Sequence, residues 1–247
     1  MNPVQNYSNG VELMEERVRI NPAFASWTRE SINVILSSAQ IKRKAAGLNL
    51  FEKEDEVIII VAGQLMVYHL TPKSEELIPM LLGPGELIGI SRIITGESGA
   101  ANIFKAHTDV VTIHIPALLI AETLDQKPIL WKDMLSVLLR QNAAYLHALS
   151  CQAIGSLRQR VAATLERLSA LYGICNEKNS SVRLRVSQLD LAAMLQANRS
   201  SVNRELKVIA MSGAILLRHM EIEISDFDVL KSFSFPGNPQ IDSLQNL

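Results

Sequence analysis

The stretch Ser187–Lys207, SQLDLAAMLQANRSSVNRELK, carries two short amphipathic patterns end to end. Ser187 and Asp190 form an S-x-x-D capping box, which starts a helix. Leu189, Ala192, Ala193 and Leu195 give that helix an apolar face whose small residues admit close packing. Gln196-Ala197-Asn198 interrupts the pattern, and Asn198 is a favoured N-cap for a second helix. That helix is expected to bury Val202, Leu206 and Ile209 and to stop at Ser212-Gly213. Two short helices about such a turn form a helix-turn-helix.

The second helix turns Arg199, Ser200, Asn203 and Arg204 away from its apolar face, near its N-terminus. Such side chains reach base edges when a helix lies in the major groove. Arginine can donate two hydrogen bonds to guanine O6 and N7, and Ser and Asn are adaptable partners. Ser187, Gln188, Ser201 and Lys207 stand where phosphate contacts are expected. The run AILLRHMEIEI, residues 214–224, suggests two paired strands, a wing with Arg218 and His219 at its tip and in reach of phosphate. The competing reading is a packing hairpin with a solvated face, which gains nothing from clustered arginines.

Charge supports the first reading. The net charge of the 247-residue chain is −1, but residues 151–220 hold 10 Lys/Arg and 4 Asp/Glu, a balance of +6. Residues 1–150 balance at −3 and residues 221–247 at −4. One basic segment inside a neutral chain points to a phosphate-facing module. Hydrophobic residues make up 48% of the chain, so a globular protein is expected. The longest apolar runs are far short of a membrane span, so no membrane partner is expected. Glu12, Glu15 and Glu16 stand where a secretory signal would be apolar, and a cytoplasmic location follows as an expectation.

Together with the rest of the chain, the two-helix stretch implies an α+β architecture. Residues 1–24 are a polar, weakly patterned N-terminal extension. Residues 25–126 form an antiparallel β-roll, a jelly roll of the cyclic-nucleotide-binding kind, opened by a helix over Ser26–Ser38. Its short strands between Ile41 and Ile115 are punctuated by Gly47, Gly63 and Gly83-Pro84-Gly85. Pro84-Gly85 suits a type II turn. Residues 127–153 form a long dimerisation helix with a stripe at Leu135, Leu138, Asn142, Tyr145 and Leu149 and a second at Leu139 and Leu146. Two stripes imply one buried in the chain's own domain and one against the same helix of a second copy, a homodimer. Residues 154–234 are the winged helix-turn-helix, starting with a helix over Ile154–Tyr172 that Gly173 stops. Residues 235–247 are a flexible tail.

The order of roll, long helix and VSQLDLAAMLQANRSSVNRELKVIAMSGAI resembles the cyclic-AMP receptor protein/fumarate–nitrate regulator (CRP/FNR) family of bacterial transcription regulators. GPGELIG in the roll and LRQRVAATLERLSALYG after the long helix extend the resemblance over roughly residues 25–230. It implies a homodimer on a palindromic site in double-stranded DNA, with RNA polymerase as a further partner. It also implies that Arg204 reads a guanine and that Arg199 contacts base or backbone. The chain departs from the family pattern at Ser200, where a glutamate is common, and at Gln196, where the turn glycine is missing. A left-handed Gln196 would strain the turn by about 1–2 kcal/mol.

The family's cyclic-nucleotide site needs a glutamate for the ribose and an Arg-Ser pair for the phosphate. After Gly89 the glutamate position holds Ile90, and the Arg-Ser positions hold Ala100 and Ala101. This degenerate pocket predicts no cyclic-nucleotide binding. An iron–sulfur cluster needs about four cysteines, and the first half of the chain has none, so none is expected. No metal site is expected either. His69, His107 and His114 leave haem ligation open, as they do an unidentified small effector. Cys151 reads as a buried inert thiol before a redox switch. No catalytic triad, phosphate loop or metal motif is present, so the protein is not expected to be an enzyme. The alternative to a DNA-binding regulator is a small-ligand binding or scaffold protein built on the roll.

Overall fold

A computed structural model of the chain describes residues 10–50, 55–70, 76–95, 102–176 and 181–234. Two compact units divide the chain, Met1–Ala143 and Ala144–Leu247.

The first unit opens with α1 (Gly10–Arg19) and α2 (Arg29–Leu36). From Gly10 on, the segment expected to be a weakly patterned extension is a packed helix: Leu13, Met14 and Val18 on one side of α1 are buried in the core. Polar residues between them mask the stripe in the sequence. The second helix is shorter than Ser26–Ser38 because Thr28 caps it, its hydroxyl accepting from the Ser31 amide. Ser26 is instead held by Asp133, whose Oδ2 accepts from the Ser26 amide at 2.6 Å.

Eight strands follow: β1 (Gln40–Lys44), β2 (Asn49–Leu50), β3 (Glu56–Ala62), β4 (Leu65–Leu70), β5 (Glu76–Leu82), β6 (Leu87–Ile88), β7 (Asn102–Ala106) and β8 (Val110–Pro116). Helix α3 (Ser91–Thr95) lies between β6 and β7, and α4 (Ala117–Gln126) and α5 (Trp131–Ile154) follow β8. The strands form two four-stranded sheets, ordered β1-β8-β3-β6 and β2-β7-β4-β5, with antiparallel pairing throughout. The continuous apolar run of β3 is explained by its position. Val57, Ile59 and Val61 enter the core shared with the helices, while Ile58 and Ile60 enter the core between the sheets. Gly85 has φ +88°, as the expected turn requires, and a Cβ on Gly63 would collide with the Asp109 carbonyl.

A polar cluster continues the inner row of Ile58 and Ile60. His114 Nδ1 lies 2.7 Å from Glu56 Oε2, and Nε2 lies 3.0 Å from the Thr112 hydroxyl. Lys42 Nζ lies 3.2 Å from the same Glu56 oxygen. Burial alone would raise the Glu56 carboxyl; its bonds to His114 and Lys42 outweigh that and hold it below the usual range.

The second unit has α6 (Leu157–Tyr172), β9 (Ile174–Asn176), β10 (Ser181–Leu184), α7 (Gln188–Met194), α8 (Arg199–Met211), β11 (Ile215–Arg218), β12 (Glu221–Ile224) and α9 (Phe227–Phe233). Its sheet runs β11-β12-β10-β9. Ile154 belongs to α5 rather than α6, because Ser156 and Gln159 form a capping box that begins α6 afresh. Gly173 ends α6 with φ −68°, so the glycine is not there for a left-handed turn. A Cβ would strike Val182 and the Ser169 carbonyl, which makes it a close-approach glycine.

Candidate nucleic-acid interface

Helix α7 begins with the expected box: the Ser187 hydroxyl accepts from the Asp190 amide at 3.1 Å, and Asp190 Oδ2 accepts from the Ser187 amide at 2.8 Å. Its buried face is Leu191, Ala192 and Met194, followed by Leu195 at the C-cap. Leu189, expected in the core, is 62% exposed instead. In a helix of seven residues the stripe at 191, 194 and 195 takes the single buried face, and the first turn is left outside.

The turn bears out the strained geometry. Gln196 has φ 49°, left-handed, and the Ala197 amide donates to the Ala192 carbonyl at 3.0 Å. An arginine of α6 braces this turn: Arg160 Nη2 donates to the Leu195 carbonyl. Asn198 is the N-cap of α8, as expected, with extended backbone, although its side chain makes no capping bond.

Helix α8 buries Val202, Glu205, Leu206 and Ile209. Ser200, Arg204 and Lys207 are exposed on the other side; Arg199, three residues before Val202, continues the buried stripe and is exposed only because it begins the helix, a correction to its expected place; Gln188, Ser201 and Asn203 are half-buried. Arg199 has no ion-pair partner among the described residues. Arg204 donates from Nε to Glu205 Oε1 at 3.2 Å, and Arg158 of α6 donates from Nε to Glu205 Oε2 at 2.9 Å. Burial works to raise the Glu205 carboxyl, and these two bonds reverse it, leaving it below the usual range. Asn203 Oδ1 is buried without a hydrogen-bond partner.

The wing is a two-stranded hairpin turning at His219 and Met220, with Met220 left-handed at φ 56°. His219 is exposed at the turn, but Arg218 does not extend from a free tip. Its Nε and Nη2 donate to Glu223 Oε2 at 2.9 and 2.7 Å, while Ser181 donates to Oε1 at 2.7 Å. Those bonds, Ser181 first, hold the Glu223 carboxyl below the usual range.

Ile90, in the place of the nucleotide-binding glutamate, is 4% exposed in the apolar core beside the helices, and Gly89 has φ +85°. Ala100 and Ala101 lie outside the described residues. On α5, Leu138 packs against its own unit's core, which corrects its place on the outward stripe. Leu135, Leu139, Asn142 and Leu146 are exposed at 4-3-4 spacing. The side chains of Tyr145, Leu149 and Cys151 lie outside the described residues. No group of three or more His, Cys, Asp or Glu could hold a metal among the described residues, and none of their helices is long and apolar enough to cross a membrane.

Sequence reasoning missed Arg158, Arg160 and Glu205. The available signal was a glutamate in the middle of the apolar set 202, 206 and 209, which needs a buried counter-charge.

A two-helix reader beside a β-hairpin wing is a DNA-binding module, here in a chain that also carries a double-sheet roll. Residues 159–233 match the Crp-like helix-turn-helix domain. The chain is 22% identical over 219 residues to the cyclic AMP receptor protein of Thermus thermophilus, covering 87% of this chain and 97% of the relative. Its fold resembles FixK2 from Bradyrhizobium japonicum, with TM-score 0.70 at 14% identity over 81% of this chain and 99% of that one. It also resembles CLP, a c-di-GMP responsive global regulator of Xanthomonas campestris, with TM-score 0.65 at 18% identity over 81% of this chain and 100% of that one. Residues 159–233 thus match a Crp-like helix-turn-helix domain, and the chain as a whole shares the fold of CRP/FNR-family structures.

Proposed function

We propose that the protein acts as a homodimer on an inverted-repeat DNA site, reading each half with α8. The observation that carries this reading is the exposed set Ser200, Arg204 and Lys207 away from the buried Val202, Leu206 and Ile209, with Arg199 exposed at the N-terminal end of the helix. Arg204 and Arg199 supply the donors for guanine. Asn203, with Oδ1 turned inward, offers its amide donors and not the paired donor and acceptor that adenine takes. Ser187, already committed to its capping box, Gln188, Ser201, Lys207 and His219 are the phosphate contacts, and Arg218 joins them only on leaving Glu223. The 4-3-4 row on α5 is the dimer seam, with Asn142 setting register. RNA polymerase is the further partner by family resemblance, in the cytoplasm.

The roll takes no cyclic nucleotide. The relatives named for cyclic AMP or c-di-GMP do not carry that ligand over, because Ile90 is packed in an apolar core where an acid would be needed. His114 is not a haem ligand in this reading, since both ring nitrogens are engaged with Glu56 and Thr112. No iron–sulfur cluster is expected.

Selection on random duplex DNA tests the proposal. It predicts enrichment of an inverted repeat with half-site centres about 10 bp apart. No enrichment, or enrichment of a single half-site, contradicts it. Calorimetry with cyclic AMP tests the roll: micromolar heat of binding would overturn the apolar-pocket reading.

A further inference from the structure

We infer that Glu205 is a positioning residue that sets the aim of Arg204, and that Arg158 anchors it from α6. This rests on the reading of Arg204 as a base contact and adds a determinant of its specificity. Glu205 is 8% exposed and shares the buried face of α8 with Val202, Leu206 and Ile209. An apolar side chain there would pack without desolvating a charge. The carboxylate is stabilised because each oxygen has its own arginine: Oε2 accepts from Arg158 Nε at 2.9 Å and Oε1 from Arg204 Nε at 3.2 Å.

Consecutive residues on a helix do not face each other. Arg204, 73% exposed, meets its neighbour only because the guanidinium folds back along the helix to Oε1. That bond uses Nε and leaves the two Nη groups as an outward fork, the pair that matches guanine O6 and N7. An arginine held this way loses less side-chain freedom when it meets a base than a free one does. Arg158 prevents the carboxylate from rotating, so the orientation of Arg204 is tied to α6 as well as to its own helix.

The experiment uses full-length protein and two duplexes. One carries the selected inverted repeat, and the other carries a symmetric change at the base pair whose preference Arg204→Ala relaxes. The readout is the affinity ratio between them, with affinity for scrambled DNA as control. Glu205→Leu should lower the ratio about tenfold, within the range of one base contact, and leave scrambled-DNA affinity unchanged. In the Arg204→Ala background it should have no further effect on the ratio. Glu205→Gln keeps one acceptor and should retain an intermediate ratio; it also serves if the leucine variant does not fold. Equal loss on all three DNAs, or a full further loss in the Arg204→Ala background, overturns the positioning role. If Arg204→Ala relaxes no base pair, the base-reading premise fails. If it relaxes one that Glu205→Leu leaves intact, the premise stands and the positioning role falls.

Discussion

At the scale of single residues, Gln196 and Met220 are the left-handed side-chain-bearing residues of the second unit, and Gln196 holds the turn between α7 and α8. A left-handed side chain costs about 1–2 kcal/mol, and a glycine would return part of that gain as extra freedom in the unfolded chain. Gln196→Gly is therefore expected to stabilise the protein by about 0.5–1 kcal/mol. Urea unfolding followed by circular dichroism checks it, and a loss of stability would mean that Gln196 makes compensating contacts. Arg160 belongs to the same turn. Its bond to the Leu195 carbonyl satisfies an acceptor at the end of α7, so Arg160→Ala should cost about 1–2 kcal/mol in the same assay.

The elements add a second test. Leu135, Leu139, Asn142 and Leu146 line one exposed face of α5, whereas Leu138 packs inward. Leu139→Glu and Leu146→Glu should each shift the protein to monomer in light scattering, because each places an unpaired charge at the seam. Leu138→Glu should instead lower the thermal midpoint, through burial in its own core. A monomeric wild type at micromolar concentration would contradict the seam.

The same two stripes show what was legible in sequence. Periodicity revealed a long helix with two apolar faces, but it could not say which face was inward, since Leu135 and Leu138 are equally apolar. The capping box at Ser187 and the buried α8 face were readable because each is a local rule, whereas the turn position of Gln196 came from the family resemblance. Leu189 was misplaced because seven residues leave too few turns to define a stripe. The α1 stripe was overlooked among charged residues, the Arg218–Glu223 bond depends on how the hairpin side chains fold back, and the Arg158 partner of Glu205 lies 47 residues away.

At the scale of the molecule, three carboxylates among the described residues titrate below their usual range when folded: Glu56, Glu205 and Glu223. Each binds fewer protons folded than unfolded near its usual pKa. Each therefore contributes stability that is present above about pH 4.3 and is lost as pH falls through the folded value. The stability gap between wild type and Glu56→Gln should be widest at neutral pH and should narrow below about pH 4. A gap constant across that range would show that the carboxylate charge does not stabilise the roll.

The basic balance of residues 151–220 within a nearly neutral chain makes binding salt-dependent, but phosphate contacts alone carry no sequence information. The central claim is that α8 reads bases. The decisive measurement is the affinity of wild type and Arg204→Ala for the selected palindrome and for scrambled DNA at several salt concentrations. Base reading by Arg204 predicts a loss worth about 1–3 kcal/mol per contact on the palindrome, relaxed preference at one symmetric pair of positions, and little change on scrambled DNA. Equal loss on both DNAs, with a salt slope lower by about one, would make Arg204 a phosphate contact. Unchanged binding to both would show that α8 does not enter the groove.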